Sequence, residues 1–249
     1  MRRPEPRLIV SCEHAGHRVP AAYRALFAGR DTLLRSHRGW DPGARPVALA
    51  LARAFQVPCI LATTTRLLVD VNRSPHNPAV FSEWTRGLPR AQRSELLARH
   101  HTPHWQRLRT LLDEADAPVL HVAVHSFTPV FRGERRRYRV GILHDPRRRG
   151  EREWAMAWQT RLRERLGRRE VRRNAPYRGD ADGLTTALRR ELRPERYAGL
   201  ELELNQAALA RPGEQRALVA SLIETLRAVL REGPGICHTR GSRSKGDTR

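Results

Sequence analysis

The stretch His121-Val122-Ala123-Val124-His125-Ser126-Phe127 decides how the chain is read. An apolar strand ends in an imidazole followed by a small hydroxyl residue. An α/β protein places a ligand-binding side chain at the carboxyl edge of its sheet in this way. Two further segments share the form. Leu8-Ile9-Val10-Ser11-Cys12-Glu13-His14-Ala15-Gly16 is a strand ending in Glu-His-small-Gly, and Ala198-Gly199-Leu200-Glu201-Leu202-Glu203-Leu204-Asn205 is a strand carrying carboxylates among leucines. Three strand ends, two histidines and a leucine-flanked glutamate point to one metal site built from distant parts of the chain.

Outward from these segments, apolar runs alternate with amphipathic ones. This is the pattern of a mostly parallel or mixed sheet flanked by helices, an α/β fold. Strands are expected at 8–12, at 58–64 and 67–71 as two strands or one bent strand, and at 119–125, 138–144, 170–174 and 198–205. Helices are expected at 44–55, 89–112 with a break at Thr102-Pro103, 152–166, 182–192 and 212–231. At 249 residues the chain suits a single domain with a full sheet between helix layers. That domain is expected to span residues 1–232. Residues 233–249 are rich in Gly, Ser, Lys, Arg and Thr, have almost nothing to bury, and predict a disordered basic tail.

The formal charge of +21 comes almost entirely from arginine. A basic surface attracts nucleic acid or anionic lipid, so a non-catalytic nucleic-acid-binding protein is one reading. The runs Arg135-Arg136-Arg137, Arg147-Arg148-Arg149 and Arg172-Arg173 are short and dispersed, and aromatics are not interleaved with them. That favours arginine on solvated helix faces over a stacking platform for single strands. Cys12, Cys59 and Cys237 show no CxxC spacing, which suits a reducing compartment. The segment Met1–Arg7 has no apolar core after its basic residues, unlike a signal peptide. No run approaches the length of a membrane span. A soluble cytoplasmic protein is the expectation.

His14 and His125, each just past or at a strand end, are the candidate metal ligands. Catalytic zinc takes three protein ligands, mostly His with one carboxylate, and leaves a place for water. The first choice for the third ligand is Asp41, in the Gly/Pro-rich loop Gly39-Trp40-Asp41-Pro42-Gly43 before a helix, with Glu13 the second choice and His17 the third. Other divalent transition metals also accept imidazole and carboxylate. Glu203 is the candidate general base, because desolvation among leucines raises a carboxyl toward working pH. Strand alternation puts Glu201, Glu203 and Asn205 on one face. Arg73, in Asp70-Val71-Asn72-Arg73-Ser74-Pro75, offers a fork for a substrate carboxylate, or else a structural pair with Asp70. His100 and His104 have a metal-capable i, i+4 spacing interrupted by Pro103, and His104 could line a pocket. The loop 176–183 borders the pocket or caps the next helix.

Together these residues resemble the N-formylglutamate amidohydrolase family. The matching pieces are Glu13-His14-Ala15-Gly16 with Val19-Pro20, Asp41, Thr65-Arg66, Asp70-Val71-Asn72-Arg73, His125-Ser126, Pro176-Tyr177 with Gly179, and Glu203-Leu204-Asn205-Gln206. They run in order over most of the chain. That family is distantly similar to zinc carboxypeptidases and aspartoacylases, which implies a phosphorylase/hydrolase-like scaffold. The same likeness makes Asn72-Arg73 a carboxylate-binding pair, His125 a ligand and Glu203 the catalytic glutamate. Those enzymes carry glutamate three residues after the first histidine. Here that place is His17, so Asp41 and Glu13 both stay open as ligands.

The resemblance implies hydrolysis of a small N-acyl amino acid to a carboxylate and a free amine. The substrate is a small carboxylate-bearing amide, and Arg66 or Arg178 helps to hold the oxyanion. Rival readings are another zinc carboxypeptidase or deacylase on the same scaffold, a nucleic-acid binder, or a metal-free relic of the fold. Oligomeric state is left open.

Overall fold

A computed structural model describes residues 5–234 of the chain, so the expected basic tail beyond Pro234, and Cys237 with it, lies outside the described residues. Strand β1 (Arg7–Cys12) leads through a 3-10 segment (Ala21–Phe27) and the short α1 (Asp31–Arg35) to α2 (Ala44–Phe55) and β2 (Cys59–Leu61). Irregular chain then reaches α3 (Arg90–Leu96), a π-helical turn (Leu97–His101) and α4 (Thr102–Asp113). Next come β3 (Val119–Phe127), a two-stranded ribbon of β4 (Val130–Phe131) and β5 (Glu134–Arg135), β6 (Val140–Leu143), α5 (Arg149–Leu166), β7 (Val171–Arg173) and α6 (Leu184–Glu191). The last elements are β8 (Tyr197–Asn205), α7 (Gln206–Leu209) and α8 (Pro212–Glu232).

The main sheet has the order β2-β1-β3-β8-β6-β7. β1, β2, β3 and β8 run parallel, β6 is antiparallel to β8, and β7 is parallel to β6. The expected mixed α/β sheet is therefore present. β8 sits between β3 and β6, so its glutamates are not on a solvent-facing edge strand.

Strand alternation sorts the residues into two faces. Leu8, Val10 and Cys12 of β1, Leu120, Val122 and Val124 of β3, and Leu200, Leu202 and Leu204 of β8 enter one large apolar core. That core is shared with Val47 and Leu51 of α2, Trp158 and Leu162 of α5, and Leu222 and Leu226 of α8. Each leucine fully enclosed there contributes roughly 1.5–3 kcal/mol. The other face is covered by α4 and α6, through Trp105, Leu108, Leu184 and Leu188. Its middle is polar: Ser11, His121 and Tyr197 bond to one another, with His121 Nε2 2.7 Å from Ser11 Oγ and Nδ1 2.9 Å from Tyr197 Oη. These three buried polar side chains satisfy one another, as polar groups enclosed in an apolar interior must. Burial pushes the His121 imidazole down to about 4.

Several boundaries differ from expectation. The run 67–71 is not a strand. Leu67, Leu68 and Val69 instead enter a separate apolar cluster with Phe27, Val80 and Leu96, so an apolar run that looks like a buried strand packs under the long irregular segment. The expected helical break at Thr102-Pro103 is a π-helical turn that runs directly into α4, with Pro103 in the first turn, where a missing N–H is tolerated.

Candidate metal centre and active site

The site lies at the carboxyl edges of β1, β3 and β8, on the face covered by α4 and α6. His14 follows β1, His125 is the seventh residue of β3, and Asp41 comes from the loop before α2. Backbone bonds hold this loop: the Asp41 N–H donates to the His14 carbonyl at 3.0 Å, and Ala44 N–H to the Asp41 carbonyl at 3.1 Å. All three side chains are buried, and one donor atom from each lies within 4.8 Å of the others.

The orientation of the two imidazoles is the telling detail. His14 Nδ1 and His125 Nδ1 both face Asp41 Oδ2, at 3.3 and 3.0 Å. Their opposite nitrogens are each backed by another carboxylate: His14 Nε2 is 2.7 Å from Asp70 Oδ1, and His125 Nε2 is 3.1 Å from Glu13 Oε2. Glu13 Oε1 in turn lies 3.3 Å from His104 Nε2. A carboxylate behind a ligand imidazole fixes its tautomer and aims the other nitrogen. Glu13 therefore stands behind His125, and Asp41 takes the place beside the two inward nitrogens. His17 stacks against Trp40 with ring centroids 5.1 Å apart, outside the cluster.

The charges suit a cation. Burial works to raise the carboxyls of Glu13, Asp41 and Asp70, but their partners overcome it. Glu13 is held well below the usual range by His104 and His125, Asp41 by His14 and His125, and Asp70 by Arg66 and His14. Burial opposes a charge on His125, yet Asp41 and Glu13 drive its proton affinity well up. Arg66 is the guanidinium at this cluster, 2.9 Å from Asp70 and 3.4 Å from Asp41. Three buried carboxylates against one arginine leave negative charge that a divalent ion, or protons on the imidazoles, must balance. The donor set of two imidazoles and a carboxylate fits zinc and its divalent neighbours.

Glu203 is the register partner of His125, one strand over. It is 4 % exposed, and its Oε2 is buried without a hydrogen-bond partner. Burial pushes its carboxyl up to about 8, with His125 opposing and Asp41 adding to the rise. On its other side the register partner is Gly141 of β6. A side chain there would run into the Ala175 carbonyl and press on Glu203 Cβ at 3.2 Å, so this glycine lets the segment after β7 lie against the sheet beside Glu203.

The remaining expected residues are more dispersed. Asn72 Oδ1 accepts the Leu184 N–H at 3.0 Å and so caps α6, while Arg73 Nη1 donates to the carbonyls of Asn72 and Asp182 at 3.2 and 2.6 Å. Asp182 also binds Ser74 and Asn77, which stitches the 72–77 segment to the loop before α6. The structure does not bring Arg178 to the cluster. It is 82 % exposed and forked onto Asp180, two residues away, which holds it in solvent. His104 serves Glu13, His101 Nε2 binds the Arg73 carbonyl at 2.7 Å, and His100 packs on Tyr23. Asp70 was legible only as an arginine partner. Its position four residues after Arg66, at the end of an apolar run, was the available signal for its place behind His14.

The family model for N-formylglutamate amidohydrolase matches residues 6–210. The chain belongs to the N-formylglutamate amidohydrolase family. Among solved structures it is similar to a gene product of Agrobacterium tumefaciens, with 29 % identity, 92 % of each chain covered and a TM-score of 0.78. It is also similar in fold to N-formylglutamate amidohydrolase from Ralstonia eutropha, with 18 % identity, 93 % of this chain and 98 % of that one covered and a TM-score of 0.61. The CwlD amidase of Clostridioides difficile shares the fold at 11 % identity, with 91 % and 100 % covered and a TM-score of 0.50. Comparison with curated protein sequences returns no match. Membership of the family makes this chain an amidohydrolase acting on a small-molecule amide. No helix among the described residues is long and apolar enough to cross a membrane.

Proposed function

We propose that the chain is a divalent-metal-dependent amidohydrolase, with zinc as the ion, that cleaves a small N-acyl amino acid such as N-formylglutamate to a carboxylate and a free amine. The observation that carries this reading is the facing of a desolvated carboxyl, Glu203, and a buried His14–Asp41–His125 cluster across neighbouring strands. His14, Asp41 and His125 hold the ion, which when bound supplies Lewis acidity toward an amide carbonyl and toward water.

The chain's own groups do the rest. Glu203 takes the proton of the attacking water and later delivers it to the leaving nitrogen. Arg66, a quarter exposed and anchored on Asp41 and Asp70, offers positive charge to the developing oxyanion. Asn72 and Arg73 hold a substrate carboxylate and so convert binding energy into orientation. The free thiols of Cys12 and Cys59 suit a reducing cytoplasmic setting. Residues 1–232 form the catalytic unit.

Metal analysis of the purified protein, with a screen of N-formyl and N-acetyl amino acids, tests the reading. One transition-metal ion per chain and cleavage of an N-formyl amino acid are expected. A protein that binds no transition metal and cleaves none of these amides would overturn it.

A further inference from the structure

We propose that Arg136 is a specificity-determining residue, gripping a second carboxylate of an acidic substrate at the mouth of the site. This rests on the hydrolase reading above and names the substrate class it would take.

The placement follows the strand register. One step along the site face from His125 is Phe127, and one step from Glu203 is Asn205. Asn205 Nδ2 donates to the carbonyls of Arg136 and Tyr138, each at 2.9 Å, so the backbone of Arg136 is pinned to the strand that carries Glu203. The guanidinium then lies among three rings. Its central carbon is 5.6 Å from the Phe127 centroid, 4.8 Å from Phe131 and 5.5 Å from Tyr177. Tyr177 follows the segment that lies over Gly141 beside Glu203. Tyr138 feels the charges of both Arg136 and Glu203.

Two observations point to a ligand. Arg136 Nη1 is shielded from water and has no hydrogen-bond partner. A buried guanidinium N–H without an acceptor is an unmet donor, and the rings around it offer only their faces. The rim is also unusually apolar. Of the four exposed large hydrophobic side chains among the described residues, Val130, Phe131 and Tyr177 are here. Exposed apolar surface around a polar centre marks a recognition site. Phe131 is presented by the β4–β5 ribbon, whose turn residues Arg132 and Gly133 both have positive φ, as a tight two-residue turn requires. A planar carboxylate would satisfy the guanidinium in its forked geometry, with aliphatic carbons against the rings. Arg73, whose Nη1 is bonded to two carbonyls, remains for the first carboxylate.

The test compares the wild type with Arg136→Met, which keeps the packing length, and Arg136→Lys, which keeps the charge without the fork. Calorimetry on the metal-loaded protein measures binding of glutarate and of glutaramate, its neutral-ended counterpart. Arg136→Met should weaken glutarate by roughly 10- to 100-fold and glutaramate by less than about twofold, with Arg136→Lys in between. Catalytic efficiency on N-formylglutamate against N-formylglutamine should show the same split. Equal loss on both ligands, or no loss on either, would overturn the assignment. Glutarate binding that depends on Arg136, in a protein that hydrolyses neither N-formyl compound, would keep the carboxylate site and overturn the hydrolase reading instead.

Discussion

His125 of β3 and Glu203 of β8 are register partners on neighbouring parallel strands, and both side chains leave the sheet on the same face. Paired positions on adjacent strands bring side chains within about 5 Å of each other at Cβ. A candidate ligand and a candidate proton carrier are thus held at a fixed spacing by backbone hydrogen bonds rather than by loops. Both side chains are almost fully buried.

The first consequence concerns turnover. Glu203→Gln keeps the shape of the side chain and removes its ability to accept a proton. Amide hydrolysis should fall by about 10²–10⁴-fold, while metal content stays near one ion per chain. The check is steady-state kinetics beside metal analysis of the same preparation. Turnover within a few-fold of wild type would remove Glu203 from the proton-transfer role.

Stability of the metal-free protein should depend on pH through the same group. In the unfolded chain its carboxyl ionises at about 4.3; in the folded chain burial pushes it up to about 8. Between these values the folded chain keeps a proton that the unfolded chain has released. The contribution is therefore full below pH ~4.3, declines as pH rises, and is gone above about 8. Glu203→Gln cannot ionise and escapes the decline. Its gain over wild type in urea unfolding should be near zero at pH ~4 and roughly 2–5 kcal/mol at pH ~9. Parallel profiles for the two proteins would mean that the carboxyl is not desolvated.

The carboxylates behind the imidazoles should matter to metal affinity without touching the ion. Asp70→Asn and Glu13→Gln remove the charge behind His14 and His125, respectively. Each should weaken zinc binding by about 10–100-fold, measured by competition with a chelator of known affinity. The contrast is Asp41→Asn, which should lose far more, because Asp41 faces both inward nitrogens. If Glu13→Gln lost as much as Asp41→Asn, Glu13 would be a ligand.

Gly141 makes a steric prediction. A methyl group there meets the Ala175 carbonyl and Glu203 Cβ. Gly141→Ala should shift the 175–177 segment, destabilise the fold by about 1–3 kcal/mol, and reduce turnover more than metal binding, since the His14–Asp41–His125 side lies across β8. Unaltered stability and kinetics would show that the segment is not packed as described.

How much of this was legible in the chain differs from residue to residue. The strand leading to His14 and those bearing His125 and Glu203 were readable because fully buried parallel strands are short apolar runs, and a polar residue at or just past their ends stands out. The run 67–71 has the same look and is no strand, because apolar composition alone does not say whether a segment pairs with a sheet or fills a local cluster. Sequence makes Asp41 the first choice over Glu13 only because it lies in a Gly/Pro-rich loop before a helix, which does not say which acid faces a metal. Both are acids near a histidine, and only the direction of each imidazole separates a carboxylate that faces the inner nitrogen from one that backs the outer. Arg136 was invisible within Arg135-Arg136-Arg137, since three adjacent arginines read alike until Asn205 and three rings single one out.

The most direct measurement is a titration of metal-free protein with zinc while cleavage of N-formylglutamate is followed. The account predicts negligible rate without metal, a rise that levels off at one equivalent, and no such rise for His125→Ala. Full hydrolysis by the metal-free protein, or an unchanged one-equivalent titration in His125→Ala, would contradict it.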